Sequence, residues 1–294
     1  MELSKRLHMV ASMVEKGSIP ADVGCDHGYV AVYLIREGVC PRVFAMDVNE
    51  GPLERAREHV EEFGLAAYID VRLSDGISGL PCRGGRPEAD TLLAAGMGGR
   101  LMVKIMEEGR EKLAQMRWAI LQPQSEAWLV REALKKNGYF ITEENMIWEE
   151  GKFYTVIKAV NLQNPPEGFC RETLEVQEKR FLEECKSQGL LSSDEWERAA
   201  DIFGSRLILE KNPVLLEYLK ESLRKNRQSL YNGIEFALFR GGRGAGKRKN
   251  GGTPCTACEG AAIAGAADWH NEMNRSGQVS RIGGCGGKHK EKGA

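Results

Sequence analysis

The chain has 294 residues, of which 42% are hydrophobic and 28% charged, and its net charge at pH 7 is −1. This composition is typical of a globular protein and excludes a fibrous or low-complexity chain. No segment approaches the roughly 20 apolar residues of a membrane-spanning helix, and residues 1–11 lack the apolar core of a signal peptide. We therefore expect a cytoplasmic protein with no membrane partner.

Charge is unevenly distributed along the chain. Residues 1–239 contain 31 basic and 38 acidic residues, a net charge of −7, whereas residues 240–294 contain 10 and 4, a net charge of +6. Because the body is mildly acidic, bulk charge does not predict a nucleic-acid partner, and any such surface must be a local patch. The cysteines in the body are scattered through apolar or mixed segments, so we expect free thiols.

Strand-like and helix-like runs alternate over the first 160 residues. The predicted elements are, in chain order, a helix at 3–15, a strand at 19–23, a helix at 29–36, a strand at 43–46, a helix at 51–63, strands at 69–73 and 91–95, a helix at 101–113, a strand at 118–121 and a helix at 125–136. Two further strands, at 140–148 and 153–160, are separated by a short turn.

The repeated strand–helix order predicts an α/β fold whose parallel sheet is covered by helices on both faces. The connection between the last two strands is too short for a parallel crossover, so that pair must be antiparallel. A Rossmann-like, seven-stranded sheet with an antiparallel last strand is typical of class I methyltransferases. Dinucleotide dehydrogenases usually lack that strand.

Beyond a proline-containing linker at 161–168, the pattern is helical. We predict helices at 172–188, 193–209 and 213–236, with Ser193 as an N-cap and Glu197 completing a capping box. The domain prediction is a catalytic domain at 1–160, a helical coiled-coil lobe at 168–238 and a glycine-rich basic tail at 240–294 that is disordered.

The first segment with chemical character is Asp22-Val23-Gly24-Cys25-Asp26-His27-Gly28, which follows the first strand. In open α/β sheets, ligands bind at the carboxyl ends of the strands. Two acidic groups in this turn would repel a pyrophosphate and favour a cation. S-adenosylmethionine carries an ammonium and a sulfonium and therefore fits, although a capped strand-to-helix turn would have the same appearance.

Acidic residues also end the next two strands. Asp47, followed by Val48, is placed to accept hydrogen bonds from both ribose hydroxyls, a device shared with NAD enzymes. Asp75-Gly76 lies where methyltransferases commonly contact an adenine amino group. A helix N-cap and an ordinary Asp-Gly turn remain alternative interpretations of these two sites.

The fourth and fifth strands lead into Ala95-Gly96-Met97-Gly98-Gly99 and into Gln122. The glycines clear space for a flat substrate, or they allow close packing of helix and strand. The Asn/Asp-Pro-Pro-Tyr motif of adenine amino-group methyltransferases is missing. A ring nitrogen such as N1 of adenine already has a free lone pair, so positioning matters more than a dedicated base.

Four segments in this order resemble the bacterial TrmK family: residues 22–29, 74–77, 95–99 and 121–124. The run from Phe203 to Leu219 is similar to the helical lobe of that family. The resemblance implies methylation of N1 of adenine 22 in tRNA, with S-adenosyl-L-methionine as donor and a coiled-coil lobe that helps to hold tRNA. Gln124 and Cys25 depart from the Asn and Ser that the family often has.

From these patterns we assign candidate residues to three roles. The catalytic candidates are Asp26, His27, Gly96, Met97 and Gln122. The cofactor-binding candidates are Asp22, Gly24, Asp26, His27, Gly28, Tyr29, Asp47, Val48, Asp75, Gly76, Ala95, Gly96, Met97 and Gly98. The RNA-binding candidates are Lys5, Arg6, Arg100, Lys104, Lys220, Arg224, Lys225 and Arg227, each of which could equally lie on a solvated helix face.

Two other functions stay open. One is methyl transfer to a small molecule or a protein, and the other is nucleotide or NAD binding without methyl transfer. The tail contains Cys255, Cys258, His270, Cys285 and His289, but their spacing matches no compact zinc knuckle, so we expect no metal. We expect a monomer without a protein partner.

Overall fold

The computed structural model describes residues 2–225. The strands are β1 (Pro20–Val23), β2 (Val43–Asp47), β3 (Ile69–Leu73), β4 (Cys82–Arg83), β5 (Arg86–Pro87), β6 (Thr91–Met97), β7 (Trp118–Pro123), β8 (Tyr139–Glu149) and β9 (Lys152–Asn161). The helices are α1 (Lys5–Ser12), α2 (Tyr29–Arg36), α3 (Glu50–Glu62), α4 (Gly99–Glu108), α5 (Arg110–Leu113), α6 (Ala127–Lys136), α7 (Arg171–Ser187), α8 (Ser193–Ala199) and α9 (Ser205–Leu209). Ala200–Gly204 is π-helical, and residues 213–225 are helical.

Seven strands form one sheet in the order β3-β2-β1-β6-β7-β9-β8. The pairs among β1, β2, β3, β6 and β7 are parallel, whereas β9 is antiparallel to both of its neighbours, β7 and β8. This confirms the predicted class I methyltransferase sheet. The small hairpin of β4 and β5 was not predicted, because two-residue strands carry no alternating apolar pattern.

Each central strand contributes side chains to two apolar cores, one on each face of the sheet. Along β2, Val43 and Ala45 pack on the face covered by α1, α2 and α3, while Phe44 and Met46 pack on the face that includes residues of α4 and α6. Alternation with a period of two is the geometry of a strand buried on both faces. Because these strands are parallel, the polar residues at their carboxyl ends lie at one edge of the sheet.

The described cysteines, Cys25, Cys40, Cys82, Cys170 and Cys185, are all free thiols, as predicted. Among residues 2–225, no helix is both long enough and apolar enough to cross a membrane.

The predicted single helix at 193–209 is wrong in two respects. Its cap is Ser192 rather than Ser193: the Ser192 hydroxyl accepts from the Glu195 N–H at 3.3 Å, and the Glu195 carboxylate accepts from the Ser192 N–H at 2.8 Å. The predicted serine was thus one residue too late and the predicted glutamate two, although the three-residue spacing of a capping box fits Ser192 and Glu195. The helix is also interrupted at Ala200–Gly204 by the π-helical turn.

A buried ion pair accounts for that interruption. Arg131 of α6 donates to the Glu144 carboxylate of β8 at 2.7 Å, and the two side chains are 2% and 0% exposed. Arg131 Nη1 also donates to the carbonyls of Asp201 and Ile202, at 3.0 and 2.9 Å. Gly204 has a φ of 97°, and a Cβ at this position would overlap the Glu144 carboxylate, so no side chain fits there. These contacts impose the irregular backbone against local helix propensity.

The contacts divide the chain into two units. The first comprises residues 1–179 and 200–216, and the described part of the second comprises residues 180–199 and 217–225. Within the second unit, the rings of Phe181 and Trp196 pack with their centroids 5.3 Å apart. The boundaries predicted from sequence remain predictions, and residues 226–238 and the tail at 240–294 lie outside the described residues.

We predict that Arg131→Met lowers the free energy of unfolding by about 3–5 kcal/mol, because it leaves the Glu144 carboxylate buried without its cation. Urea unfolding followed by circular dichroism measures the change. Lys136→Met is the matched control. It removes an exposed pair with Glu132 from the same helix and should have a much smaller effect on stability. Equal effects of the two substitutions would contradict the role assigned to Arg131.

Candidate active site

The turn after β1 lies against the ends of β2 and β6. The N–H groups of Gly24 and Cys25 both donate to the carbonyl of Met46, at 2.8 and 3.1 Å. Gly24 has a φ of 71°, and a Cβ at this position would lie 2.6 Å from the methyl carbon of Met97. This left-handed backbone conformation favours glycine, and a side chain here would also have to displace the methyl group of Met97.

The Asp22 carboxylate is buried in this turn without a partner for one of its oxygens. The residue is 4% exposed, and within residues 2–225 its Oδ2 atom has no hydrogen-bond partner. Burial, together with the Asp47 carboxylate, raises the pKa of Asp22 to about 7. A buried acceptor left unpaired is costly, so the site is suited to a cationic donor from outside the chain. The ammonium group of S-adenosylmethionine is such a donor.

Asp47 ends β2 and is held by its own turn. Its Oδ1 atom accepts from the N–H of Asn49 at 2.9 Å and from the Asn49 side-chain amide at 3.4 Å. The residue is 8% exposed, while the adjacent Val48 side chain is exposed. A fixed carboxylate beside an exposed apolar side chain can bind a ribose and its attached base.

The loop that carries Asp75 and Gly76 is held in place by hydrogen bonds from a lysine. Lys112 of α5 donates from Nζ to the carbonyls of Ile77, Ser78 and Leu80, at 3.0, 2.5 and 2.8 Å. One ammonium group thus satisfies three backbone acceptors and sets the course of the loop. Asp75 itself is exposed, as expected for a group that would contact a ligand.

Gly96 lies at an irregularity near the end of β6. The register with β7 shifts between Ala95 and Met97, and Gly96 has a φ of 81°. The N–H of Gly96 donates to the Oε1 atom of the fully buried Gln122 side chain at 3.1 Å. Two residues from different strands, both predicted as catalytic candidates, are therefore in direct contact.

Asp26 and His27 lie at the mouth of the same turn. The Asp26 side chain is 70% exposed, and its carboxylate is 3.4 Å from Nε2 of His27. The His27 ring stacks on Tyr29, with centroids 5.3 Å apart and planes within 6°, while a ring nitrogen of His59 lies 2.8 Å from the His27 carbonyl oxygen. Arg55 also contacts His27, so this histidine belongs to an aromatic and charged cluster.

Two of the remaining cofactor-binding candidates are glycines at which helices begin. Gly28 and Gly98 are the N-cap residues of α2 and α4, and Ala95 through Gly98 are half-buried. The N–H groups at a helix N-terminus favour negative ligand groups, so a donor's carboxylate would be accommodated on this side.

The predicted RNA-binding residues are dispersed. Lys5, Arg100 and Lys104 are exposed, but Arg100 is paired with Glu126 at 2.7 Å and Lys104 lies 3.7 Å from Glu108. Lys220, Arg224 and Lys225 are exposed on the helical stretch at 213–225, and Arg227 lies outside the described residues. Among the candidates within residues 2–225, only Arg6 reaches the strand ends: its guanidinium donates to Gln122.

Three contributors to the site were not predicted from the sequence: Lys112, Asn49 and Tyr154, the last of which lies beneath the Arg6 guanidinium. Asn49 follows Asp47 closely, and an Asx-type turn could have indicated it. Lys112 and Tyr154 carry no local signal. Residues 2–225 contain no cluster of three or more metal-ligating side chains, and the cysteines and histidines of the tail lie outside that range.

Comparison with known proteins places this geometry in context. A model of the methyltransferase domain family matches residues 3–157. Over 159 residues, 54% of this chain, the sequence is 37% identical to the tRNA (adenine(22)-N(1))-methyltransferase of Bacillus subtilis (strain 168), and the match covers 65% of that relative, slightly less than two thirds of its length.

Two solved structures are similar over most of their length. A Streptococcus pneumoniae protein crystallised with S-adenosyl-L-methionine is 31% identical, with a TM-score of 0.61, and the match covers 80% of this chain and 97% of that one. The B. subtilis m1A22 tRNA methyltransferase TrmK is 27% identical, with a TM-score of 0.61 and coverage of 93% and 96%.

The raised pKa of Asp22 predicts that S-adenosylhomocysteine binds more tightly as the pH rises from 6 to 8. With a pKa of about 7, the ionised fraction of Asp22 rises from about 0.1 to about 0.9 over this range, and only the ionised form pairs with the ligand's ammonium. Calorimetric titration should show an affinity about tenfold higher at pH 8. Asp22→Asn should bind weakly with a flat profile. An unchanged slope in that variant would contradict the assignment.

We also predict that Lys112→Met weakens S-adenosylhomocysteine binding by roughly tenfold, because three carbonyls lose their shared donor and the Asp75 loop is released. The same calorimetric titration at a fixed pH measures the effect. Lys104→Met, which removes an exposed lysine from neighbouring α4, is the control and should leave the donor affinity within about twofold. Equal affinities of the two variants would rule out the bracing role.

Proposed function

Because the chain belongs to the methyltransferase domain family and, within it, to the TrmK family, we propose that it transfers a methyl group from S-adenosyl-L-methionine to N1 of adenine 22 in tRNA. The buried, unpaired carboxylate of Asp22 beside Asp47 is the observation that carries the proposal. A cationic donor neutralises this pair, whereas the pyrophosphate of NAD would add negative charge to it.

The donor is proposed to lie along the carboxyl ends of four strands. Asp22 would accept from the ammonium group, Asp47 from the ribose hydroxyls and Asp75 from the adenine amino group. Gly96 leaves room at the end of β6 for close approach of the ligand to the backbone. When bound, the donor supplies an electrophilic methyl group on a positively charged sulfur.

Transfer to N1 requires no proton acceptor at the reacting atom. The N1 lone pair forms the new bond to the methyl carbon, and the electron pair of the breaking carbon–sulfur bond stays on sulfur. The residues around Gly96 and Gln122 therefore act by placing the base in line with the methyl group. We assign the stabilisation of the positive charge that passes to the adenine to the exposed Asp26 carboxylate at the mouth of the turn.

The tRNA is proposed to be held by exposed basic residues rather than by a uniformly basic surface. Lys5 on α1, and Lys220, Arg224 and Lys225 on the 213–225 helix, are exposed and suited to phosphate contacts. We assign donor binding and chemistry to residues 1–160 and tRNA holding to the helical lobe at 168–238. The target base must leave its stack before reaction, at a cost of a few kcal/mol. We place the reaction in the cytoplasm.

We predict that incubating the purified chain with S-adenosyl-L-methionine and an unmodified tRNA transcript produces 1-methyladenosine at position 22, because N1, unlike the exocyclic amine, has a free lone pair and needs no base. Mass spectrometry of nucleosides and of nuclease fragments identifies both the methylated atom and its position. An A22→G transcript of the same tRNA is the matched control and should accept no methyl group.

Methylation that persists in the A22→G transcript, or a product methylated on the exocyclic amine, would contradict this function. If S-adenosylhomocysteine binds but no RNA is methylated, the alternative of a small-molecule or protein substrate is favoured. If NAD binds and S-adenosylhomocysteine does not, the site is not a methyl-donor site.

A further inference from the structure

Arg6 is the one RNA-binding candidate among residues 2–225 whose side chain contacts a residue of the catalytic strand ends. It lies at the second position of α1, and its Nη1 atom donates to the Oε1 atom of Gln122 at 2.7 Å. The guanidinium carbon lies 5.4 Å from the ring centroid of Tyr154 on β9. A planar cation that lies over an aromatic ring and is hydrogen-bonded at one edge has a defined orientation.

The Gln122 amide is fixed by its partners. The side chain is fully buried, and its Oε1 atom accepts from both Arg6 Nη1 and the Gly96 N–H, while Nε2 donates to the carbonyl of Pro123 at 3.1 Å. Turning the amide over would place its NH₂ group against two other donors. Arg6 therefore selects the amide orientation that gives the Gly96 N–H an acceptor.

Arg6 also borders the space in front of Gly96. A Cβ added to Gly96 would lie 3.5 Å from Arg6 Nη1 and 3.8 Å from Nε2 of Gln124, with no other heavy atom as close. The open side of the β6 turn is thus bounded by two side-chain donors. A base brought in line with the methyl group would enter this space.

We propose that Arg6 is a positioning residue for methyl transfer and not a phosphate contact. Through Gln122 it holds the Gly96 peptide in its positive-φ conformation and so keeps the space for the base open. A phosphate contact that drew the guanidinium away from Gln122 and Tyr154 would leave the buried Oε1 atom with one donor fewer. The kinetic part of this inference rests on the proposed function.

The first test needs no substrate. Amide hydrogen exchange at Gly96, followed by ¹⁵N NMR, should be at least about tenfold faster in Arg6→Ala and Arg6→Lys. Alanine removes the donor to Gln122, and lysine lacks the planar guanidinium that lies over Tyr154. Lys5→Ala, which removes an exposed cation from the preceding position of α1, should leave the protection of Gly96 unchanged. Thermal unfolding of each variant checks that the fold is intact.

The second test uses methylation of tRNA and its dependence on salt. Both Arg6 variants should lower kcat at least about tenfold and keep KM for tRNA within about twofold of the wild-type value. The slope of the logarithm of the tRNA binding constant against the logarithm of the salt concentration should equal that of the wild type. Loss of one phosphate contact would instead reduce that slope by about one. Arg6→Ala combined with Gln122→Ala should be no slower than Gln122→Ala alone, because both changes break the same link.

Unchanged exchange at Gly96 in both Arg6 variants overturns the proposal, whether or not the wild-type protein methylates tRNA. A raised KM with unchanged kcat and a reduced salt slope overturns it as well and returns Arg6 to the phosphate-binding residues. A wild-type protein that methylates no tRNA, with exchange at Gly96 accelerated in the Arg6 variants, refutes the proposed function and supports the positioning of Gly96 by Arg6.

Discussion

The Asp22 carboxylate is buried at the end of β1, and the surrounding backbone supplies no hydrogen bond to its Oδ2 atom. The Asp47 carboxylate acts on it as a second negative charge, and among residues 2–225 its Oδ2 atom has no partner. Placing a negative charge there is unfavourable in the absence of a cation. A positively charged ligand removes this unfavourable energy when it binds, so the site selects for cations. The two carboxylates would repel the pyrophosphate of a dinucleotide, so the site discriminates against dinucleotides.

The substrate side of the site works by a different principle. Gln122 is buried with its acceptor atom already used by two N–H donors, so it cannot take a proton from an attacking amine. A site of this kind suits a nucleophile with a free lone pair and contributes through geometry. The Gly96 N–H, in a peptide with a φ of 81°, donates to this same acceptor atom, and the guanidinium of Arg6 holds that atom in place.

Much of this arrangement could be predicted from the sequence, because its signals are local. The alternation of strands and helices, the acidic residues that end β1, β2 and β3, and the glycines after β6 are readable within windows of a few residues. The topology of parallel strands then brings Asp22 and Asp47 to one edge without further information.

The contacts that could not be predicted join residues far apart in sequence. Arg6 and Gln122 are 116 positions apart, and Lys112 lies 32 to 35 positions from the carbonyls it binds. An arginine or lysine on an amphipathic helix looks the same whether it meets solvent or a buried partner. The π-helical break at Ala200–Gly204 was missed for a related reason: the Arg131–Glu144 pair imposes it from another part of the fold.

The central claim is that the Asp22 carboxylate is the partner of the donor's ammonium group. A crystal structure of the chain with S-adenosylhomocysteine tests it directly. The account predicts that the ligand nitrogen lies about 2.7–2.9 Å from a carboxylate oxygen of Asp22, the distance of a charge-assisted hydrogen bond. A bound ligand whose nitrogen lies well beyond hydrogen-bonding distance, with Oδ2 of Asp22 still unpaired, would contradict it.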